Sequence, residues 1–213
     1  MQQKYYFSRK PKPAAMKKAS LLFNVLILFS LPSCAQEKTP APEAQIGAAV
    51  MAAPEDVRAG ATVYGYTNKG NLTLLRQGTN SLICLADDPG REGFQAVCYH
   101  KDLEPFMARG RELKAQGKSS GEIFDIREAE AKAGKLKMPE QPTTLHLLEG
   151  PGGKYDPESG QVTGAYYRYV VYIPWATAES TGLPLQPIVP GGPWIMDPGT
   201  HRAHIMITPP PKE

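Results

Sequence analysis

The string SLICLADDPGREGFQAVCYH (81–100) constrains this chain more than any other. Two strand-like runs flank DDPGREG, a segment of turn residues, and together they specify an antiparallel hairpin. Folding the two runs about Arg91 puts Cys84 directly opposite Cys98, since 84 + 98 is twice 91. A non-hydrogen-bonded antiparallel pair has Cα atoms about 4.5 Å apart, within the reach of a disulfide. Closing a loop of about 15 residues restricts the unfolded chain by roughly 3 kcal/mol. The rival reading, two metal-ligating thiolates, lacks any C-x-x-C or Cys/His cluster. A disulfide is therefore expected, on condition that the chain reaches oxidising surroundings.

The N-terminus supplies that condition. Residues 1–18 carry Lys4, Arg9, Lys10, Lys12, Lys17 and Lys18 and no acid, and ASLLFNVLILFSL (19–31) follows. A basic segment, an apolar run of about 13 residues and then small residues describe a secretory signal peptide, 1–33. The run is too short for a membrane span, which needs about 20 residues. Met16 opens MKK, an alternative start that would leave residues 1–15 upstream. LPSC, with Leu31 three residues before Cys34 and Ser33 just before it, resembles the bacterial lipoprotein cleavage signal. That resemblance implies acylation of Cys34, a membrane anchored through the N-terminal lipid and, with Ala35 after the cysteine, an outer-membrane address. The plainer alternative is cleavage after Ala35, giving a soluble secreted or periplasmic protein.

Cleavage also reverses the charge. The whole chain is formally +3, but 6 of its 24 Lys and Arg and none of its 21 acids precede Cys34, leaving 18 − 21 = −3. The basic character belongs to the leader, so no electrostatic footprint for nucleic acid remains.

Residues 34–61, rich in Ala, Pro and Glu and without sustained periodicity, read as a flexible tether. Residues 62–208 then form one globular domain and 209–213 a tail. ATVYGYTNKGNLTLL reads as two strands about a turn. Leu103, Phe106, Met107, Gly110 and Leu113 recur at helical spacing, and SSGEIFDIREAEAKAG is a second helix with Ser119 as cap, Glu122 completing a capping box and Gly134 as stop. Strands return with TTLHLLEG, AYYRYVVYIPW and the segment WIMDPGTHRAHIMIT. The fold class expected is α+β, a largely antiparallel sheet with a helical pair inserted after the disulfide-linked hairpin.

YVVYIPWATAESTGL, GGPWIMDPGTHRAHIMI and CYHKDLEPFMARGREL resemble an uncharacterised family of exported bacterial proteins, over most of residues 70–207. The resemblance implies export and a single domain; it transfers no catalytic or binding residue.

No motif for chemistry outweighs its plainer reading. GKSSG (117–121) matches G-x-S-x-G, but a helix precedes Ser119 where the nucleophile elbow needs a strand. GRELKAQGKS has six residues between its glycines where a phosphate loop has four. His100, His146, His201 and His204 are the candidate metal ligands or acid–base groups. On a strand His201 and His204 would point to opposite faces, an objection that lapses if His201 lies in the turn. Asp156 and Glu158 in DPESG read as turn residues. In 165–175, alternation puts Tyr167, Tyr169, Val171, Ile173 and Trp175 on one face, and Tyr166, Arg168, Val170 and Tyr172 on the other. Core packing is the first expectation for this segment. The alternative is a groove in which Tyr167, Tyr169, Trp175 and Trp194, beside Arg168, hold a small molecule, glycan or peptide. The reading that emerges is a lipid-anchored envelope protein with a binding or structural role and no cofactor. Its alternative is an envelope hydrolase or metal-dependent enzyme using the histidines.

Overall fold

The computed structural model describes residues 39–68 and 70–210. The leader 1–33, Cys34 and residues 211–213 lie outside them. A helix, α1 (Pro42–Val50), precedes β1 (Thr62–Tyr66), β2 (Leu72–Arg76), β3 (Leu82–Leu85) and β4 (Phe94–His100). Then come α2 (Glu104–Ala115), α3 (Ser120–Lys132), β5 (Thr143–Gly150), the short β6 (Lys154–Asp156) and β7 (Gln161–Thr163), and β8 (Tyr166–Tyr172). One turn of helix, α4 (Ala178–Thr181), and the strands β9 (Trp194–Met196) and β10 (His204–Ile207) complete the order. Eight strands form one sheet in the order β2-β1-β3-β4-β5-β8-β10-β9, while β6 and β7 pair with each other. The architecture is α+β, as expected.

The hairpin pairs as its turn chemistry demands: Cys84 faces Cys98 in the β3–β4 register, and the two are disulfide-bonded with Cα atoms 4.1 Å apart. β1 enters the sheet between β2 and β3, antiparallel to the first and parallel to the second. Every other neighbouring pair of the large sheet is antiparallel. Following those directions, the ends of β1, β3, β5 and β10 and the starts of β4, β8 and β9 share one edge of the sheet, termed here its upper end.

Period-2 alternation sends side chains to two faces. On one face Cys84, Phe94, Ala96, Cys98 and Leu148 pack with Ala48, Ala49, Ala52 and Ala53. On the other, Tyr99, Leu145, Val170 and Tyr172 pack with Leu103, just before α2, and with Phe106 in its first turn. Ser119 caps α3 in a complete capping box with Glu122. Arg109 of α2 chelates Glu130 of α3 through Nε and Nη2, at 2.9 and 2.6 Å. Gly134, at φ 68°, closes the helix as its position suggested.

Two expectations are corrected here. Residues 42–61 are not a flexible tether: α1 lies on the disulfide, with the Ala49 carbonyl oxygen 3.3 Å from Cys98 Sγ. Arg58 folds back to donate to the carbonyls of Ala53 and of Met51, the latter the C-cap of α1 and one of the groups that a helix end leaves open. The tether expected over 34–61 is thus part of the core from Pro42 onward. The strand expected to run through Trp175 stops at Tyr172, since Pro174 cannot donate to a ladder and Trp175 adopts φ 67°. Among the described residues no helix is long and apolar enough to cross a membrane.

Candidate functional site

A cleft of about 910 Å³ opens at the upper end between α1, the β3–β4 hairpin tip and the loop from Pro151 to Pro157. Its apolar lining is set by Ala44 and Ala48 of α1, Ala86 and Phe94 of the hairpin and Tyr155 of β6. Tyr155 reaches α1 because residue 47 is glycine; a Cβ there would stand 2.2 Å from the tyrosine hydroxyl oxygen. Gly93 closes the hairpin at φ 78°, where a Cβ would crowd the Gly150 carbonyl at 2.8 Å. The cleft is therefore shaped by two Gly/Pro turns whose backbones approach closely, a common way to leave room for a ligand.

Its rim is charged. Asp87 accepts from the Gln95 N–H at 2.9 Å, and Asp88 accepts from the Gly90 N–H at 2.9 Å, so both carboxylates are fixed by the tip's own backbone. Burial pushes the Asp87 carboxyl up from its usual range, against the Gln95 hydrogen bond. Burial, with Asp88 and Asp87 adding to it, likewise raises the Tyr66 phenol. Glu92, Arg91 and Lys154 complete the rim. Apolar walls under a mixed-charge rim can hold a molecule with an apolar body and a polar end. No nucleophile–base pair is fixed there by the hydrogen bonds just described.

The histidines do not assemble into a ligand set. His146 stands on the α1 face opposite Cys98, edge-on to Tyr169 at 5.8 Å, and burial alone lowers its pKa. His204 opens β10 opposite Tyr172, its Nδ1 2.7 Å from the Arg202 carbonyl oxygen. His100 lies at the lower end beside Asp102. His201 sits in the turn before β10, fully buried against Phe124 and Phe106, with Nδ1 3.3 Å from Glu128. Burial lowers the pKa of both His201 and His204, and Glu128 only partly offsets it for His201. The His201–Glu128 pair has the form of an acid–base dyad, but Nε2 is enclosed and without a hydrogen-bond partner. A base must reach the proton it takes, and no open path is built to this one. Among the described residues no group of three or more His, Cys, Asp and Glu side chains could hold a metal ion.

The aromatic residues are also dispersed. Tyr167 and Tyr169 stack at 6.1 Å on the α1 face, and Tyr167 donates to the Met51 carbonyl. Arg168 points to the opposite face, paired with Glu149 at 3.2 Å. Trp194 starts β9 at the upper end, whereas Trp175 lies at the lower end, 39 % exposed, with Lys132 Nζ 5.9 Å from its ring centre. They line no common groove. In the sequence Asp87, Asp88 and Glu92 read as solvated residues of the hairpin tip, 151–157 as a turn and Ala44 to Ala48 as tether, so no signal joins them into one site.

No family model, curated protein or solved structure matches the chain, so the site's own geometry carries the functional reading.

Proposed function

We propose that the chain is a lipid-anchored bacterial envelope protein with a binding role and no catalysis, held by Cys34 and taking its ligand in the upper cleft. The cleft is the observation that carries the binding role: about 910 Å³, apolar inside, charged at the rim. Its volume suits a small molecule or a short peptide or glycan segment. The anchor rests on LPSC and its leader. Two or more acyl chains on one residue give stable attachment where one does not.

Ligand-observed NMR with a fragment library tests the cleft. Hits on the wild type should be lost in Ala44→Trp, whose indole fills the cleft from the half-buried first turns of α1. Hits that survive the substitution, or a library without hits, would sink the binding role. Mass spectrometry of protein purified from membranes tests the anchor: acyl chains on Cys34 support it, and an unmodified chain beginning at Gln36 removes it.

A further inference from the structure

The seventeen residues from Ser180 to Met196 contain no charge. Within them Leu185, Ile188 and Val189 are 58, 82 and 59 % exposed. Single exposed aliphatics are ordinary; three within five residues of a loop without charge are a local concentration of exposed apolar side chains. The fold holds them outward. Pro187 and Pro190 bracket Ile188-Val189 and fix their own φ. The Gly192 N–H donates to the Val189 carbonyl at 2.9 Å. Gly191, at φ 78°, sits so close to the Thr208 carbonyl that a Cβ would stand 2.9 Å from it. Thr208 follows β10, so the Ile188–Val189 turn stands at the upper end of the sheet.

The chain enters the domain at that same end. Thr39 donates its hydroxyl to the Thr67 carbonyl, just past the end of β1, and Pro40 borders the cleft. Five residue steps separate Cys34 from Thr39, a reach of at most about 18 Å. β1 and β9 are six strands apart, about 29 Å at the usual spacing. An acyl group on Cys34 and the apolar turn would thus bear on one plane across the same edge of the sheet.

We infer that the loop Leu185–Val189 is a second membrane contact, inserting its aliphatic side chains into the leaflet that holds the Cys34 lipid. This inference rests on the proposed anchor. The rim residues Asp87, Asp88 and Glu92 share the upper end and outnumber Arg91 and Lys154. Insertion is therefore apolar in origin and independent of anionic lipid. The strands stand on end over the bilayer, and the cleft opens at its surface.

The test uses the chain from residue 35 onward with an N-terminal hexahistidine, captured on phosphatidylcholine vesicles through a nickel-chelating lipid. Ile188→Cys supplies the one free thiol and carries an environment-sensitive fluorophore; Glu179→Cys on α4, at the opposite end, is the reference. Capture should raise emission several-fold at position 188, with quenching by shallow spin-labelled lipid, and leave position 179 unchanged. No change at 188, or an equal change at both positions, overturns the inference. An apolar signal at 188 already in solution, with elution as a dimer, overturns it in favour of a second copy. Because the synthetic anchor replaces the natural one, an unmodified Cys34 in membrane-purified protein would remove the anchor reading without touching this result.

Discussion

Gln45 gives the sharpest measure of whether α1 belongs to the domain. Its side chain is only 5 % exposed, and its amide nitrogen donates to the carbonyls of Pro40 at 2.8 Å and Tyr66 at 3.0 Å. Its Oε1 accepts from the Tyr66 N–H at 2.7 Å. Tyr66 presents both groups on the side where β3 has ended at Leu85, so the amide stands in for a missing strand residue. Gln45→Leu keeps the volume and removes all three bonds. A buried polar group left unpaired costs about 1–3 kcal/mol. With the two groups of Tyr66 half-buried, the expected loss is about 2–4 kcal/mol, a large share of a typical domain's about 5–15 kcal/mol. At a urea slope of about 2 kcal/mol/M the midpoint falls by about 1–2 M with the slope unchanged. Glu43→Ala, on the exposed side of the same helix, should stay within about 0.5 kcal/mol of wild type. If Gln45→Leu matches Glu43→Ala, α1 is not docked in solution and residues 42–61 behave as the tether their composition suggests.

Three further outcomes are expected. Replacing both Cys84 and Cys98 by Ala should cost about 3 kcal/mol by urea unfolding. In the wild type, alkylation after dithiothreitol should need denaturant, since both sulfurs are buried. Burial holds His146, His201 and His204 below the usual histidine range. The unfolded chain then binds more protons below about pH 6.5, so stability is full above that pH and falls beneath it. The slope is at most about 1.4 kcal/mol per pH unit for each histidine. A urea midpoint lower at pH 5.5 than at 7.5, with a smaller difference in His201→Phe, confirms this; equal midpoints refute it. Arg127 is 8 % exposed, its guanidinium 3.9 Å from the Phe106 ring centre and its pKa lowered to about 10 by burial. A Cβ on Gly110 would stand 2.8 Å from its Nη1. Gly110→Ala should therefore give the usual helix gain of about 1 kcal/mol only in combination with Arg127→Met. Equal effects in both backgrounds would show that the two residues are uncoupled.

What could be read from the sequence was local. The hairpin was legible because turn residues and cysteine positions agree on one register, and α3 because Ser119, Glu122 and Gly134 mark its ends. α1 was not: its buried face is alanine, which packs closely on a sheet yet gives little hydropathy contrast along the chain. The insertion of β1 between β2 and β3 is a long-range choice that no neighbouring residue announces. Trp175 continues an alternating aromatic run, but Pro174 before it and its own positive φ take it off the strand. The cleft was illegible for a related reason: DDPGREG and PGGK each read as turns, and nothing in either string says that they meet.

The position of α1 over the disulfide also imposes an order of events on a newly made chain. Thiol oxidation proceeds by direct attack and needs access to the sulfurs. Cys84 and Cys98 are both sealed beneath Ala49 and its neighbours once the helix has docked. α1 precedes the cysteines along the chain, yet it can settle only after residues 84–98 have been made and oxidised. A helix that closed first would shut the oxidant out, so α1, made before either cysteine, is the last to lock.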